Sequence, residues 1–171
     1  MNQFLVLGAL VGHDAYSAEW AYHTYQDLLL DLGTLRQARF FVPDDEVFAL
    51  AEPRQCFHNA FQGCTELDGY TYVEGYAQTN LLVVAHAWLE DPDGNIVDPT
   101  WGQHIELDES VTPTYYGIQF DTKFVLRRAF ENRRSSILAH EWASKPDFPS
   151  LRFGLVTNDE GLVIGYKEVI T

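Results

Sequence analysis

The chain has 171 residues, 46% of them hydrophobic and 14% aromatic, enough to bury one sizeable core. Its 11 basic residues stand against 25 acidic ones, for a formal charge of −14 at pH 7. That balance repels phosphate backbones and anionic lipid, so neither direct nucleic-acid binding nor attachment to a membrane surface is expected.

The length favours a single domain over residues 1–171, with the motif-bearing part at about 55–120. Met1 to Leu7 lacks the basic start, longer apolar run and cleavage site of a signal peptide, and the longest apolar run, from Leu81, is too short to span a bilayer. A cytoplasmic location is expected. The acidity is dispersed over Asp44-Asp45-Glu46, Glu90-Asp91, Asp108-Glu109 and Asp159-Glu160. It reads as a solvated surface; the alternatives are a basic partner or mimicry of nucleic acid.

In chain order, Ser17 to Leu32 carries Trp20, Ala21, Tyr25, Leu28, Leu29 and Leu32 at helical spacing, with Ser17 as N-cap and Gly33 as stop. Arg39 to Val42 is a short strand and Asp44 to Leu50 a short helix. Cys56 to Leu67 is a helix with Phe57, Ala60, Phe61 and Cys64 on one side and Cys56 in its first turn. Along such a helix Cys56 and Cys64 are separated by about 12 Å, too far for a disulfide, so both are free thiols, which fits a reducing compartment. After the turn at Asp68-Gly69, Tyr70 to Gln78 alternates as a strand, and Leu81 to Leu89 is apolar almost throughout, as a strand covered on both faces would be. Asp91-Pro92-Asp93-Gly94 is a turn, and Asn95 to Asp98 returns as a strand. Tyr115 to Phe120 is a further strand, Lys123 to Trp142 a helix, and Arg152 to Val156 with Leu162 to Val169 a closing hairpin. A helix, a cysteine helix and then mostly antiparallel strands make an α+β protein.

Three segments carry chemistry: Gln55-Cys56-Phe57, His86-Ala87-Trp88-Leu89-Glu90 and Asp98-Pro99-Thr100-Trp101. They supply a thiol nucleophile, a base and a carboxylate to orient the base, in that order. At a helix N-terminus the unpaired N–H groups and the dipole favour the thiolate, and an imidazolium beside it can protonate a leaving amine. His86 and Asp98 share a sheet face only if the hairpin between them has a suitable loop. A five-residue loop, Glu90 to Gly94, sets them directly opposite and a three-residue loop sets them diagonally; a two-residue loop at Asp93-Gly94 puts them on opposite faces.

Gln-Cys-Phe at a helix start, His-Ala-Trp-Leu-Glu on a strand and Asp-Pro-Thr on the next resemble the core of the transglutaminase-like superfamily, itself similar to papain-like proteases. The match covers about Gln55 to Trp101, with Tyr72-Val73-Glu74-Gly75-Tyr76 as the strand between cysteine and histidine. The resemblance implies a cysteine helix packed on a mostly antiparallel sheet, Cys56 as nucleophile, His86 as base, Asp98 as orienter and thioester chemistry on a protein, peptide or small amide. It implies no cofactor. Arg54 stands where a glycine is common in the crosslinking enzymes, and no acidic loop resembles an EF-hand, so calcium-dependent crosslinking is the less favoured branch. Hydrolysis is more economical than transfer because no feature marks an amine-acceptor site.

Other residues compete for roles. Glu90 is the alternative orienter, Trp88 a wall of the cleft or a core aromatic, and Gln55 or Tyr76 oxyanion or cleft candidates beside the backbone N–H of Cys56. Zinc on Cys56, His58, Cys64 and His86 lacks ligand spacing, so no metal is expected. His13, His23, His104 and His140 form no pattern. A non-catalytic acidic binding or inhibitor protein on the same scaffold, and acyl transfer like that of the arylamine acetyltransferases, are the rival readings.

Overall fold

The computed structural model describes residues 19–37, 45–79, 83–102, 113–139, 141 and 148–167. Helix α1 spans Tyr25–Leu32, strand β1 Thr34–Gln37, α2 Asp45–Ala49, α3 Cys56–Glu66, β2 Thr71–Gln78 and β3 Val83–Glu90. Strand β4 is Ile96–Val97, β5 Thr114–Phe120, α4 Thr122–Asn132, α5 Pro149–Phe153, β6 Leu155–Thr157 and β7 Val163–Tyr166. The strands form one open sheet in the order β4-β3-β2-β5-β7-β6, with β1 also paired to β5. Every pairing is antiparallel except that of β5 with β7. The architecture is thus mixed α+β with a mostly antiparallel sheet, and no helix among the described residues is long and apolar enough to cross a membrane.

Register assigns the faces, because directly opposed residues point the same way. Tyr72 opposes Leu89 and Phe120, and Glu74 opposes Ala87 and Ile118. On that face Tyr72, Ala87, Leu89, Ile118 and Phe120 form the main core with Leu28 and Leu29 of α1, Ala60 and Cys64 of α3, and Phe124 and Val125 of α4. Helix α3 approaches β3 so closely that a Cβ on Gly63 would lie 2.4 Å from Leu89 Cδ1. The opposite face carries Val73, Ala77, Trp88 and Tyr115, with Ile96 and Trp101 beside them. There the indole of Trp88 lies on Gly117, where a Cβ would come within 2.4 Å of Cη2.

Several boundaries differ from the sequence expectation, each for a tertiary reason. Helix α1 starts at Tyr25, not near Ser17: Thr24 Oγ1 accepts from Asp27 N at 3.0 Å, while the N–H groups of Ala21 and Tyr22 donate to the carbonyls of Arg152 and Leu151. Strand β1, unforeseen, pairs Thr34 with Gly117 and Leu35 with Tyr116. The helix expected over Lys123 to Trp142 stops at Asn132, where Arg133 turns left-handed at φ 54°. Beyond it the buried Glu74 carboxylate accepts from the N–H groups of Ile137 and Ala139, which starts the chain on a new direction. Arg152 and Phe153 belong to α5, not to the closing hairpin, which is β6 and β7. The strand expected at Arg39 to Val42, and Leu81 at the start of β3, lie outside the described residues.

Candidate active site

The β3–β4 hairpin decides whether His86 and Asp98 meet. Glu90 pairs with Ile96 and Leu89 with Val97, and Asp91 N donates to Asn95 O at 3.0 Å, which leaves Pro92 to Gly94 as the turn, the three-residue arrangement that sets His86 and Asp98 diagonally. The Asp91 carboxylate sets it: Oδ1 accepts from Asp93 N at 3.0 Å and Asn95 N at 2.8 Å, and Oδ2 from Asn95 Nδ2 at 2.9 Å. One step further along this register Asp98 falls opposite Trp88, on the His86 face and diagonal to it.

His86 Nε2 lies 2.7 Å from Asp98 Oδ2. The same oxygen accepts from Tyr115 OH at 2.9 Å, and Oδ1 accepts from the backbone N–H groups of Thr100 at 2.9 Å and Trp101 at 2.8 Å. Asp98 is fully buried yet satisfied at both oxygens. Burial opposes its ionisation, but the charge and hydrogen bond of His86 and the two N–H donors outweigh burial and hold the carboxyl below its ordinary range. Burial likewise opposes the imidazolium, yet Asp98, and then Cys56, push His86 up to about 10. Burial and Asp98 raise the Tyr115 phenol well above its ordinary range, so it stays a donor. Trp101 stacks on the imidazole, centroids 4.5 Å apart and planes inclined by 25°, and restricts water at the ring face.

Cys56 is the first residue of α3, half-buried, and its side chain is both hydrogen-bond and charge partner of His86. Cys56 N is also one of the first N–H groups of a helix, which have no intrahelical acceptor. The chain enters α3 through Arg54 in the left-handed region, φ 65°, a conformation that favours glycine. Behind this turn Asn59 closes the loop: Oδ1 accepts from Glu52 N at 2.9 Å, and Nδ2 donates to Glu52 O at 2.7 Å and to Thr100 Oγ1 at 2.8 Å.

The other candidates separate. Gln55 is the N-cap residue, exposed, with no side-chain capping bond. Trp88 shares the His86 face, ring centroids 6.4 Å apart, but is wholly buried, so it supports the site from beneath and does not line an open cleft. Tyr76 opposes Ala85 and Tyr116 and so faces away from His86; it borders a small cleft with Tyr25, Glu74 and Leu138 on the helix-covered face. Glu90 is held by Gln119 Nε2 at 2.7 Å and Arg36 at 3.9 Å, not by His86. Cys64 is buried, its Sγ 3.2 Å from Phe61 O, and burial pushes its thiol up to about 12. Among the described residues no group of three or more His, Cys, Asp or Glu is arranged to hold a metal ion. Sequence reasoning gave no role to Trp101, Tyr115 or Asn59. Trp101 stood within a chosen segment, Asn59 lies three residues after Cys56, and Tyr115 carried no local signal.

No family model, curated protein or solved structure matches the chain.

Proposed function

We propose that the protein is a cysteine-dependent hydrolase or acyltransferase that opens an amide or related acyl bond through a thioester, on a transglutaminase-like, papain-like core. One observation carries the reading: a buried imidazole bonded through Nε2 to a carboxylate and interacting with a thiol at a helix N-terminus. Two free cysteines differ in this respect, and only Cys56 has the imidazole.

The chemistry follows from the protonation states. With His86 pushed up to about 10, the imidazolium is the form held at neutral pH, and it sits beside a sulfur that attacks as thiolate. Cys56 Sγ adds to the carbonyl carbon, and the C=O electron pair moves to oxygen, where the N–H of Cys56 is a natural donor. Collapse of the tetrahedral species breaks the C–N bond as His86 gives its proton to the leaving amine. The neutral imidazole then takes a proton from water as its oxygen attacks the thioester. The acid leaves, and thiolate and imidazolium are restored. An amine in place of water completes acyl transfer by the same steps. Asp98 keeps its charge throughout and orients the ring.

The test is to trap the acyl-enzyme. Wild type and Cys56→Ala are mixed with an aryl ester near neutral pH, quenched in acid and mapped by peptide mass spectrometry. Acylation of the Cys56 peptide, with its removal slowed in His86→Ala, is the expected result. Acylation of Cys56 no faster than that of a free cysteine in a short peptide would overturn the reading.

A further inference from the structure

We propose that Asn59 and Thr100 are positioning residues whose hydrogen bond holds the Cys56 thiol at the His86 imidazole. The inference rests on the catalytic reading above and adds what keeps the two halves of the site in register.

His86 and Asp98 are fixed to each other directly, through adjacent strands and a 2.7 Å bond. Cys56 is not. Helix α3 packs on the face that carries Leu89, as the Gly63 contact records, whereas alternation turns His86 to the other face. Packing of α3 on the sheet therefore does not by itself bring its first residue to the imidazole.

Asn59 supplies the link. It lies three residues after Cys56, on the same side of the helix, and only 1% of its surface is exposed. Its Nδ2 spends one hydrogen on Glu52 O and the other on Thr100 Oγ1, at 2.7 and 2.8 Å. Its Oδ1 accepts from Glu52 N. Thr100 in turn donates its backbone N–H to Asp98 Oδ1. The path from nucleophile to base thus runs Cys56, α3, Asn59, Thr100, Asp98, His86, through buried bonds between groups 41 residues apart at its one long step. Only an amide of this length fits: an aspartate lacks both donors and would face the Glu52 carbonyl, and a leucine has none of the three bonds. A misplacement of about 1 Å at the reacting atoms costs on the order of 100-fold in rate, so a tie of this kind acts on reactivity well before it acts on folding.

The experiment measures iodoacetamide alkylation of Cys56 against pH by peptide mass spectrometry, with thermal unfolding in parallel, in wild type, His86→Ala, Thr100→Val and Thr100→Ser. Valine keeps the branched shape and the backbone N–H to Asp98 but removes Oγ1; serine keeps the hydroxyl. The inference expects Thr100→Val to lower alkylation near pH 6 by about 10-fold, with a profile moved towards that of His86→Ala, and Thr100→Ser to restore it. Asn59→Asp, which keeps the acceptor and loses both donors, should behave as Thr100→Val does and stands in if the valine variant does not fold. A wild-type profile that depends on His86, unchanged in Thr100→Val and in Asn59→Asp, would overturn the inference alone. A wild-type profile indifferent to His86→Ala would overturn the catalytic reading and the inference with it.

Discussion

His86 and Asp98 are diagonal neighbours across the β3–β4 hairpin, joined at 2.7 Å and both removed from solvent. Their protonation equilibria are displaced in opposite directions, and this fixes how stability varies with pH. Asp98 is lowered from 3.8, so the stability it contributes is present above that value and is lost as pH falls through its lower native value. His86 is raised from 6.5 to about 10, so its contribution is complete below 6.5 and is lost as pH rises through about 10. Asp98→Asn removes the charge that favours the imidazolium. Urea unfolding near pH 6 should show a loss of about 3 kcal/mol, and the alkaline decline should begin earlier than in wild type. Equal pH dependence in the two proteins would contradict the pairing.

Trp101 covers the imidazole by stacking, and its own backbone N–H holds Asp98. Trp101→Ala keeps the backbone bond and removes the ring. The stacking itself is worth about 0.5–1.5 kcal/mol. Urea unfolding near pH 6 should show a loss of at least that size in Trp101→Ala, with Trp101→Phe intermediate. Unchanged stability would show that the ring does not support the pair.

Gly117 is glycine because Trp88 occupies the space of its Cβ. Gly117→Ala should destabilise the fold by about 1–3 kcal/mol, the range for overpacking a filled site. Trp88→Phe in the same chain should recover part of that loss. Additive losses in a double-mutant cycle would mean that the two residues do not compete for the same volume.

The ordered motif was legible because each of its parts has a local signature: a thiol at a helix start, alternation through the strands, a turn before the third segment. Pairing register was not. Tyr76 and His86 belong to opposite faces because β2 and β3 align Tyr76 with Ala85, and nothing in Gln78 to Leu82 fixes that alignment in advance. For the hairpin that carries Asp98 the sequence left a direct and a diagonal register open; the bonds of Asp91, its N–H to Asn95 O and its carboxylate from Asp93 N and Asn95 N, select the diagonal one. The end of α4 had no glycine or proline to announce it: Arg133 takes the left-handed C-cap, and beyond it Glu74, a carboxylate from a distant strand, takes the N–H groups of Ile137 and Ala139. Asn59 is similar, since its distance from Cys56 can be counted but Thr100 as its acceptor cannot.

The central claim is that Cys56 and His86 work as a pair, and Cys64 provides an internal control because it is buried and its thiol is raised to about 12. The most direct measurement is the iodoacetamide labelling rate of each cysteine, by peptide mass spectrometry from roughly pH 5 to 9, in wild type and His86→Ala. The account predicts that native Cys64 stays unlabelled, that Cys56 is labelled, and that His86→Ala slows the labelling of Cys56 at pH 6. A Cys56 that is inert, or whose labelling at pH 6 is the same with and without the imidazole, would contradict it.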